Sequence, residues 1–155
     1  MPPEYTIRPC TTDDVPAVGA VEADAFAGHD LYPNFVFRQA VDIQGDGFLV
    51  AEHVASGAVV GYVITTASQR DEDQWWIVSL GVMARHRRRG VGSHLTARAE
   101  AFGASKRAGG FLLTVDPGNI VALRLYHHLG YSEIARLSGH FGEDEDRLLL
   151  AYAAG

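Results

Sequence analysis

The sequence predicts one α/β domain of the α+β kind, and three observations carry that expectation. At 155 residues, 47% of them apolar and 21% charged, the chain has the length and composition of a single packed unit, residues 1–155. Between Phe48 and Val82, apolar β-branched runs are separated by short polar breaks, the pattern of an antiparallel meander. From Gly90 onward, helical periodicity and β-rich runs alternate as helix, strand, helix, strand.

Tyr5 to Arg8 reads as a short edge strand, because aromatic and β-branched residues run into Pro9, which has no N–H for a ladder. A helix follows, with Thr12 as N-cap, Asp13 and Asp14 in its first turn, and Val15, Val18, Val21, Ala25 and Phe26 at helical spacing up to Gly28. Leu31 to Gln44 carries Phe35, Val36 and Ala40 at helical offsets, interrupted near its start by Pro33. FLVAEHV, AVVGYVITTAS and QWWIVSLGV are the strands of two hairpins, broken at Ser56-Gly57 and over Gln69 to Asp73. Of the adjacent Trp75 and Trp76, alternation sends one to the core and the other toward a cleft. Gly90 to Ala108 is a helix with Val91, Leu95, Ala99 and Phe102 on one stripe. FLLTV is a strand, Pro117-Gly118 a turn, and Asn119 to Leu129 a helix with Gly130 as its left-handed cap. Tyr131 to Leu137 and Arg147 to Tyr152 are the last strands.

Thirteen Lys and Arg against 19 Asp and Glu leave a formal charge of −6, which argues against a broad electrostatic grip on nucleic acid or an anionic membrane. Any anion site must therefore be local. The one cysteine, Cys10, rules out an intramolecular disulfide and a cysteine zinc cluster, and the histidines lack ligand spacing, so no metal is expected. The start, MPPEYTIRPC, has no signal-type apolar stretch, and the longest uncharged run, Val54 to Gln69, spans 16 residues broken by Ser, Gly and Thr. The expectation is a cytoplasmic protein, monomeric or homodimeric.

The local anion site is RHRRRGVGSHL, Arg85 to Leu95, which places four arginines and two glycines between a strand and an apolar-striped helix. The first amides of a helix have no intrahelical acceptor, and the helix dipole makes that end positive. Gly90 and Gly92 let an anion approach the backbone because they carry no Cβ. A solvated basic turn is the plain alternative. The Walker pattern fails because no GK followed by Ser or Thr occurs, and the Rossmann GxGxxG fails because Ser93-His94-Leu95 follows the second glycine.

RRRGVG, Arg87 to Gly92, resembles the R/Q-x-x-G-x-G/A pyrophosphate motif of the GNAT superfamily of acetyl-CoA-dependent N-acyltransferases. NIVALRLYHHLGY, Asn119 to Tyr131, resembles the second signature of that family, at the expected distance. The resemblance runs nearly end to end. It implies a three-layer fold with helices on both faces of a mixed, mostly antiparallel sheet that is splayed at the cofactor site. It implies acetyl-CoA as co-substrate, its pyrophosphate held by Arg87, Arg88, Arg89, Gly90, Val91, Gly92 and Ser93. Ser79 to Val82, with Leu80, Gly81 and Val82 at its centre, would pair with the pantetheine arm, the Leu80 amide polarising the thioester, and Asn119 would cap its helix beside that arm. Tyr126 would protonate the departing thiolate, although helical spacing alone makes it a core aromatic.

EADAF at Glu22 to Phe26 and GEDEDRLLL at Gly142 to Leu150 resemble the N-terminal-alanine acetyltransferases of ribosomal proteins. Those enzymes usually carry a Glu where this chain has Thr114, so the proton acceptor must lie elsewhere. Asp116, two residues on, is a replacement candidate, although Asp before Pro-Gly is more often a turn-former. Glu22 is the other candidate from the first helix, where a solvated carboxylate is the plainer expectation. His140 has suitable chemistry for a base or for substrate recognition, His127 and His128 read as solvated, and His86 reads as part of the phosphate turn.

The implied reaction is direct attack of a primary amine on acetyl-CoA without a covalent enzyme intermediate, Cys10 lying too early to serve as nucleophile. The acceptor indicated is a protein or peptide N-terminal amine, followed by a polyamine-like or aminoglycoside-like small molecule. A non-catalytic acyl-CoA sensor is the alternative of another class, favoured by Thr114. Ala27 to Phe37, rich in aromatics, is the expected acceptor wall.

Overall fold

The computed structural model describes residues 4–154. Strands β1 (Tyr5–Pro9), β2 (Phe48–His53), β3 (Ala58–Ala67), β4 (Gln74–Val82), β5 (Gly110–Val115), β6 (Ser132–Leu137) and β7 (Arg147–Ala153) form one sheet in the order β1-β2-β3-β4-β5-β7-β6. Every neighbouring pair is antiparallel except β4 with β5. Helices α1 (Val15–Ala25) and α2 (Asn34–Gln44) cover one face, and α3 (Val91–Ser105) and α4 (Ile120–His128) cover the other.

Two apolar cores result, because successive strand side chains alternate between faces. Phe48, Val50, Tyr62 and Ile64 join Val18, Val21 and Phe37 under α1 and α2. Their neighbours Leu49, Ala51 and Val63 join Val91, Leu95 and Ala99 under α3. A strand covered on both faces has no polar side, so the central strands read as unbroken apolar runs.

The strand that shapes the site is β4. It pairs with β5 only through Gln74, Trp75 and Trp76, opposite Gly110, Phe111 and Leu112, and then the two strands part. On its other edge, Ile64 faces Ser79 while Thr65 faces Ile77, which leaves Val78 as an extra residue. A bulge bends and twists its strand, and this one lies two residues past the last β4–β5 pair. The splay thus has a local cause in β4.

Three expectations need adjustment. The residue that caps α1 is Asp14 rather than Thr12: a short 3-10 turn, Thr12–Asp14, precedes the helix, and the Thr11 N–H and hydroxyl before that turn donate to Asp14 Oδ2 at 2.8 and 3.0 Å. The second helix begins at Asn34 rather than Leu31, since Pro33 disfavours helical geometry in the residue before it. Trp75 is core and meets Phe102 edge-on at 5.6 Å, but Trp76 is half-buried and does not line the cleft described below. Among the described residues, no helix is long and apolar enough to cross a membrane.

Two stability predictions follow from close contacts. A Cβ at Gly103 would lie 2.6 Å from the Phe111 ring and 3.4 Å from Trp75, so Gly103→Ala overpacks the α3 core. Its expected cost is about 1–3 kcal/mol, read as a lower melting temperature. Arg8 donates to both oxygens of Asp14, at 2.6 and 2.9 Å, and this pairing holds the Asp14 carboxyl at about 2, below its ordinary 3.8. A depressed folded value stabilises above the unfolded value and is lost as pH falls through the folded one. The gap in melting temperature between wild type and Asp14→Asn should therefore be widest near neutral pH and close between about pH 4 and about pH 2.

Candidate active site

Where β4 and β5 diverge, the sheet opens into a cleft of about 880 Å³. Its walls are Ile77 to Val82 of β4, Leu113 to Val115 of β5, the start of α3, and Asn119, Leu125 and Tyr126 at α4. At the far end it reaches Phe26, His29 and Tyr32 before α2, and Phe141 of the loop between β6 and β7.

The chain leaves β4 through a 3-10 turn, Ala84–His86, and enters α3 at Val91. That connection is pinned from several sides. Ala84 N–H donates to Asp24 Oδ2 at 2.7 Å, the Arg87 guanidinium donates to the Ala25 carbonyl at 3.3 Å, and buried His86 hydrogen-bonds Tyr5 Oη at 2.8 Å. Burial, with His53 nearby, lowers the His86 pKa, so its ring serves as a neutral brace. Arg88 and Gly90 both adopt left-handed conformations, with φ of +63° and +83°. Among the described residues, the amides of Arg88 through Ser93 donate to no carbonyl or side chain. Six successive donors at the positive end of a 15-residue helix make an anion site of main-chain atoms. A Cβ at Gly92 would come within 3.3 Å of Leu125, so the second glycine also lets α4 pack against this turn.

The basic side chains divide. Arg87 and Arg88 line the cleft. Arg89 does not: its guanidinium turns toward β1, donating to Tyr5 Oη at 3.4 Å and lying 3.7 Å from Glu4. What Arg89 offers the site is its amide.

On the other wall, the Asn119 side-chain carbonyl accepts the Ala122 N–H at 3.1 Å and caps α4. Tyr126 is both core and cleft. It packs edge-on against Tyr131 at 5.5 Å, yet it lines the opening, and its hydroxyl has no hydrogen-bond partner among the described residues. Burial raises its pKa, so the phenol keeps its proton at neutral pH. Thr114 lines the cleft where a carboxylate is usual in the resembling enzymes. Asp116 lies at the cleft rim, and its Oδ1 accepts the Gly118 N–H at 2.8 Å in the turn geometry anticipated for it.

Glu22 overturns its plainer expectation. It is 3% exposed, not solvated, and it does not line the cleft. Its Oε1 accepts the Tyr62 hydroxyl at 2.6 Å and its Oε2 accepts the Tyr32 N–H at 3.0 Å. Tyr62 in turn lies 2.6 Å from Ser79 Oγ, and Ser79 does line the cleft. Tyr62 did not stand out in the sequence, and Ser79 did so only for its main chain, although alternation along β4 puts the Ser79 side chain on the same face as Gly81, which needs to be small. A Cβ at Gly81 would sit 2.9 Å from the Tyr62 ring. His127, His128 and His140 are exposed. Cys10 is buried, and that burial pushes its thiol up to about 12, so it is no nucleophile.

The model of the acetyltransferase (GNAT) family matches residues 17–131. This chain belongs to the GNAT family. An N-alpha-acetyltransferase of Sulfurisphaera tokodaii is 28% identical over 96% of this chain and 92% of that protein. Among solved structures, Ard1 from Thermoplasma volcanium superposes with a TM-score of 0.88 at 21% identity, covering 98% of this chain and 99% of the other. The ribosomal-protein-S18-alanine N-acetyltransferase of Escherichia coli gives 0.79 at 22% identity, covering 97% and 96%. The open sheet is thus the GNAT fold, and the protein is an N-acetyltransferase of that family.

The anion site predicts a specific sensitivity. Gly90→Ala places a Cβ in a left-handed residue, 3.3 Å from His94 Nδ1, and should cost about 1 kcal/mol in stability. It should also shrink the rise in melting temperature produced by coenzyme A, a rise that stays unchanged if these amides hold no phosphate.

Proposed function

We propose that the protein transfers an acetyl group from acetyl-CoA to the N-terminal amine of a protein or peptide by direct attack. The observation that carries this reading is the run of six acceptorless amides, Arg88 to Ser93, at the mouth of a cleft that ends beside a protonated phenol. Support for an α-amine acceptor comes from the 28% identical relative, which carries the name N-alpha-acetyltransferase and matches over 96% of the chain.

The residues fit the co-substrate. Gly90 and Gly92 leave the main chain open to a diphosphate, while Arg87 and Arg88 add charged donors at the cleft edge. The β4 edge from Ser79 to Val82, freed of β5, offers ladder groups to the amide-bearing arm of coenzyme A, and the Leu80 amide stabilises negative charge growing on the thioester oxygen. The acceptor nitrogen bonds to the carbonyl carbon, the C–S bond breaks, and the nitrogen gives up one proton to the cleft as the sulfur gains one. Tyr126 donates its proton to the departing sulfur and is reprotonated from the cleft. Asn119 serves by holding the N-terminus of α4, and so the phenol, in place.

The acceptor enters from the side of residues 27–33, where Tyr32 and His29 line the cleft. A small-molecule amine would use the same opening, and a panel of acceptors separates the two readings.

The test is thiol release from acetyl-CoA in the presence of peptides with free N-termini and of small amines. Peptides should accelerate release, and Tyr126→Phe should lower kcat on the order of 10²-fold while leaving acetyl-CoA binding near wild type. Acetyl-CoA that raises the melting temperature while no acceptor accelerates release would instead make the protein an acyl-CoA sensor.

A further inference from the structure

Glu22 is a carboxylate without a cation. Among the described residues, no Arg, Lys or His pairs with it, although it is 3% exposed. Burying an unpaired carboxylate is costly, and apolar residues would fill that place under α1 more favourably. The group is also not isolated from the cleft. A line of oxygens runs from it to the surface: Glu22 Oε1, Tyr62 Oη at 2.6 Å, and Ser79 Oγ at 2.6 Å.

The proton positions on this line follow from its end. Tyr62 has one hydroxyl proton, and Glu22 accepts it. Ser79 must then donate its own proton to Tyr62, which leaves the Ser79 oxygen with acceptor capacity beside the cleft it lines. The line is therefore polarised inward, from cleft to carboxylate.

We propose that Ser79, Tyr62 and Glu22 form a relay that takes the proton from the acceptor amine, with Ser79 as the catalytic residue that touches the amine and Glu22 as the proton's destination. The inference rests on the acetyl-transfer reading above. An α-amine, with an ordinary pKa of about 8, is mostly an ammonium at neutral pH and cannot attack until it loses a proton. The ammonium N–H bond breaks as Ser79 Oγ takes the proton, Ser79 passes its former proton to Tyr62 Oη, and Tyr62 passes its own to Glu22 Oε1. Both hydroxyls end as they began, and Glu22 ends as a carboxylic acid that returns its proton along the same line once the product leaves.

The surroundings suit relay rather than storage on Tyr62. Burial, together with Glu22, raises the Tyr62 phenol far above its ordinary value, so a phenolate is not populated. The titratable groups facing Tyr62 are Glu22 from α1 and Tyr32 from the segment before α2, whose phenol is likewise raised, by burial and by Glu22. Tyr62 is held rigidly, with no exposed surface, between the Phe37 ring at 5.3 Å and the backbone of Gly81. The relay also supplies a proton acceptor to a site that has Thr114 in place of a carboxylate.

The experiment measures acceptor-dependent thiol release over a pH series for wild type, Tyr62→Phe, Ser79→Ala, Ser79→Thr and Glu22→Gln. Tyr62→Phe keeps the ring over Gly81 and removes only the hydroxyl. It, Ser79→Ala and Glu22→Gln should each lower kcat at pH 7 about 10-fold, because about one amine in ten is already free there, with little change in KM for acetyl-CoA. The deficit should shrink as pH rises past about 8, where the amine is already free, and Ser79→Thr should restore much of the rate. A deficit of the same size at every pH overturns the relay. So does a wild-type profile in Tyr62→Phe alongside a pH-dependent deficit in Asp116→Asn, which would move the role to the cleft rim. If the buried substitutions do not fold, Ser79→Ala decides alone by the same criteria. If wild type binds coenzyme A but releases no thiol with any acceptor, the acetyl-transfer reading fails and takes the relay with it. Release by wild type with unaffected variants removes only the relay.

Discussion

The structure turns on a set of main-chain donors that the fold leaves without acceptors. Between the end of β4 and the first turn of α3, six consecutive amides face no carbonyl and no side chain among the described residues. Such a run is costly unless water or an anion meets it, so its persistence in a well-braced turn is the strongest physical statement the molecule makes about a ligand. The bracing is extensive. Asp24 holds one end, the backbone of α1 takes the Arg87 guanidinium, and the neutral ring of His86 locks onto Tyr5. A turn tied down in this way loses little further freedom when it binds.

That turn would be useless if the sheet closed beside it. The bulge at Val78 and the short β4–β5 pairing open the sheet at the same level, so the anion site, the free strand edge and Tyr126 border one cleft. β4 then acts as a thin wall. On one face Leu80 and Val82 lie near Gly92 and the start of α3, and on the other Gly81 lies under Tyr62 and Phe26. The run of free amides and the buried Glu22–Tyr62 pair are thus separated by one strand, and Ser79 and Tyr126 lie on the same cleft from opposite walls.

What could be read in the sequence was local, and what could not was long-range. The RRRGVG and NIVALRLYHHLGY segments carry their geometry within a dozen residues, through glycines at a helix start and a capping Asn, and so their placement follows directly. The apolar runs of the central strands gave the meander, while their burial on both faces appears only with the fold. Arg89 looked equivalent to its neighbours until the fold brought Tyr5, 84 positions away, within its reach. Glu22 looked like a solvated helical carboxylate because its partner Tyr62 lies 40 positions on. Asp14 looked like a first-turn acid, and that its carboxylate is also paired with Arg8 of β1 is a contact the helical pattern does not carry. A pattern on one helix cannot report what another strand presents to it.

The most direct measurement of the central claim is a crystal structure of the protein with coenzyme A. The account predicts diphosphate oxygens at roughly 3 Å from the amides around Gly90 to Ser93, and a thiol directed between β4 and α4 toward the hydroxyl of Tyr126. A nucleotide seated elsewhere with that turn hydrated, or a thiol directed away from α4, would contradict it.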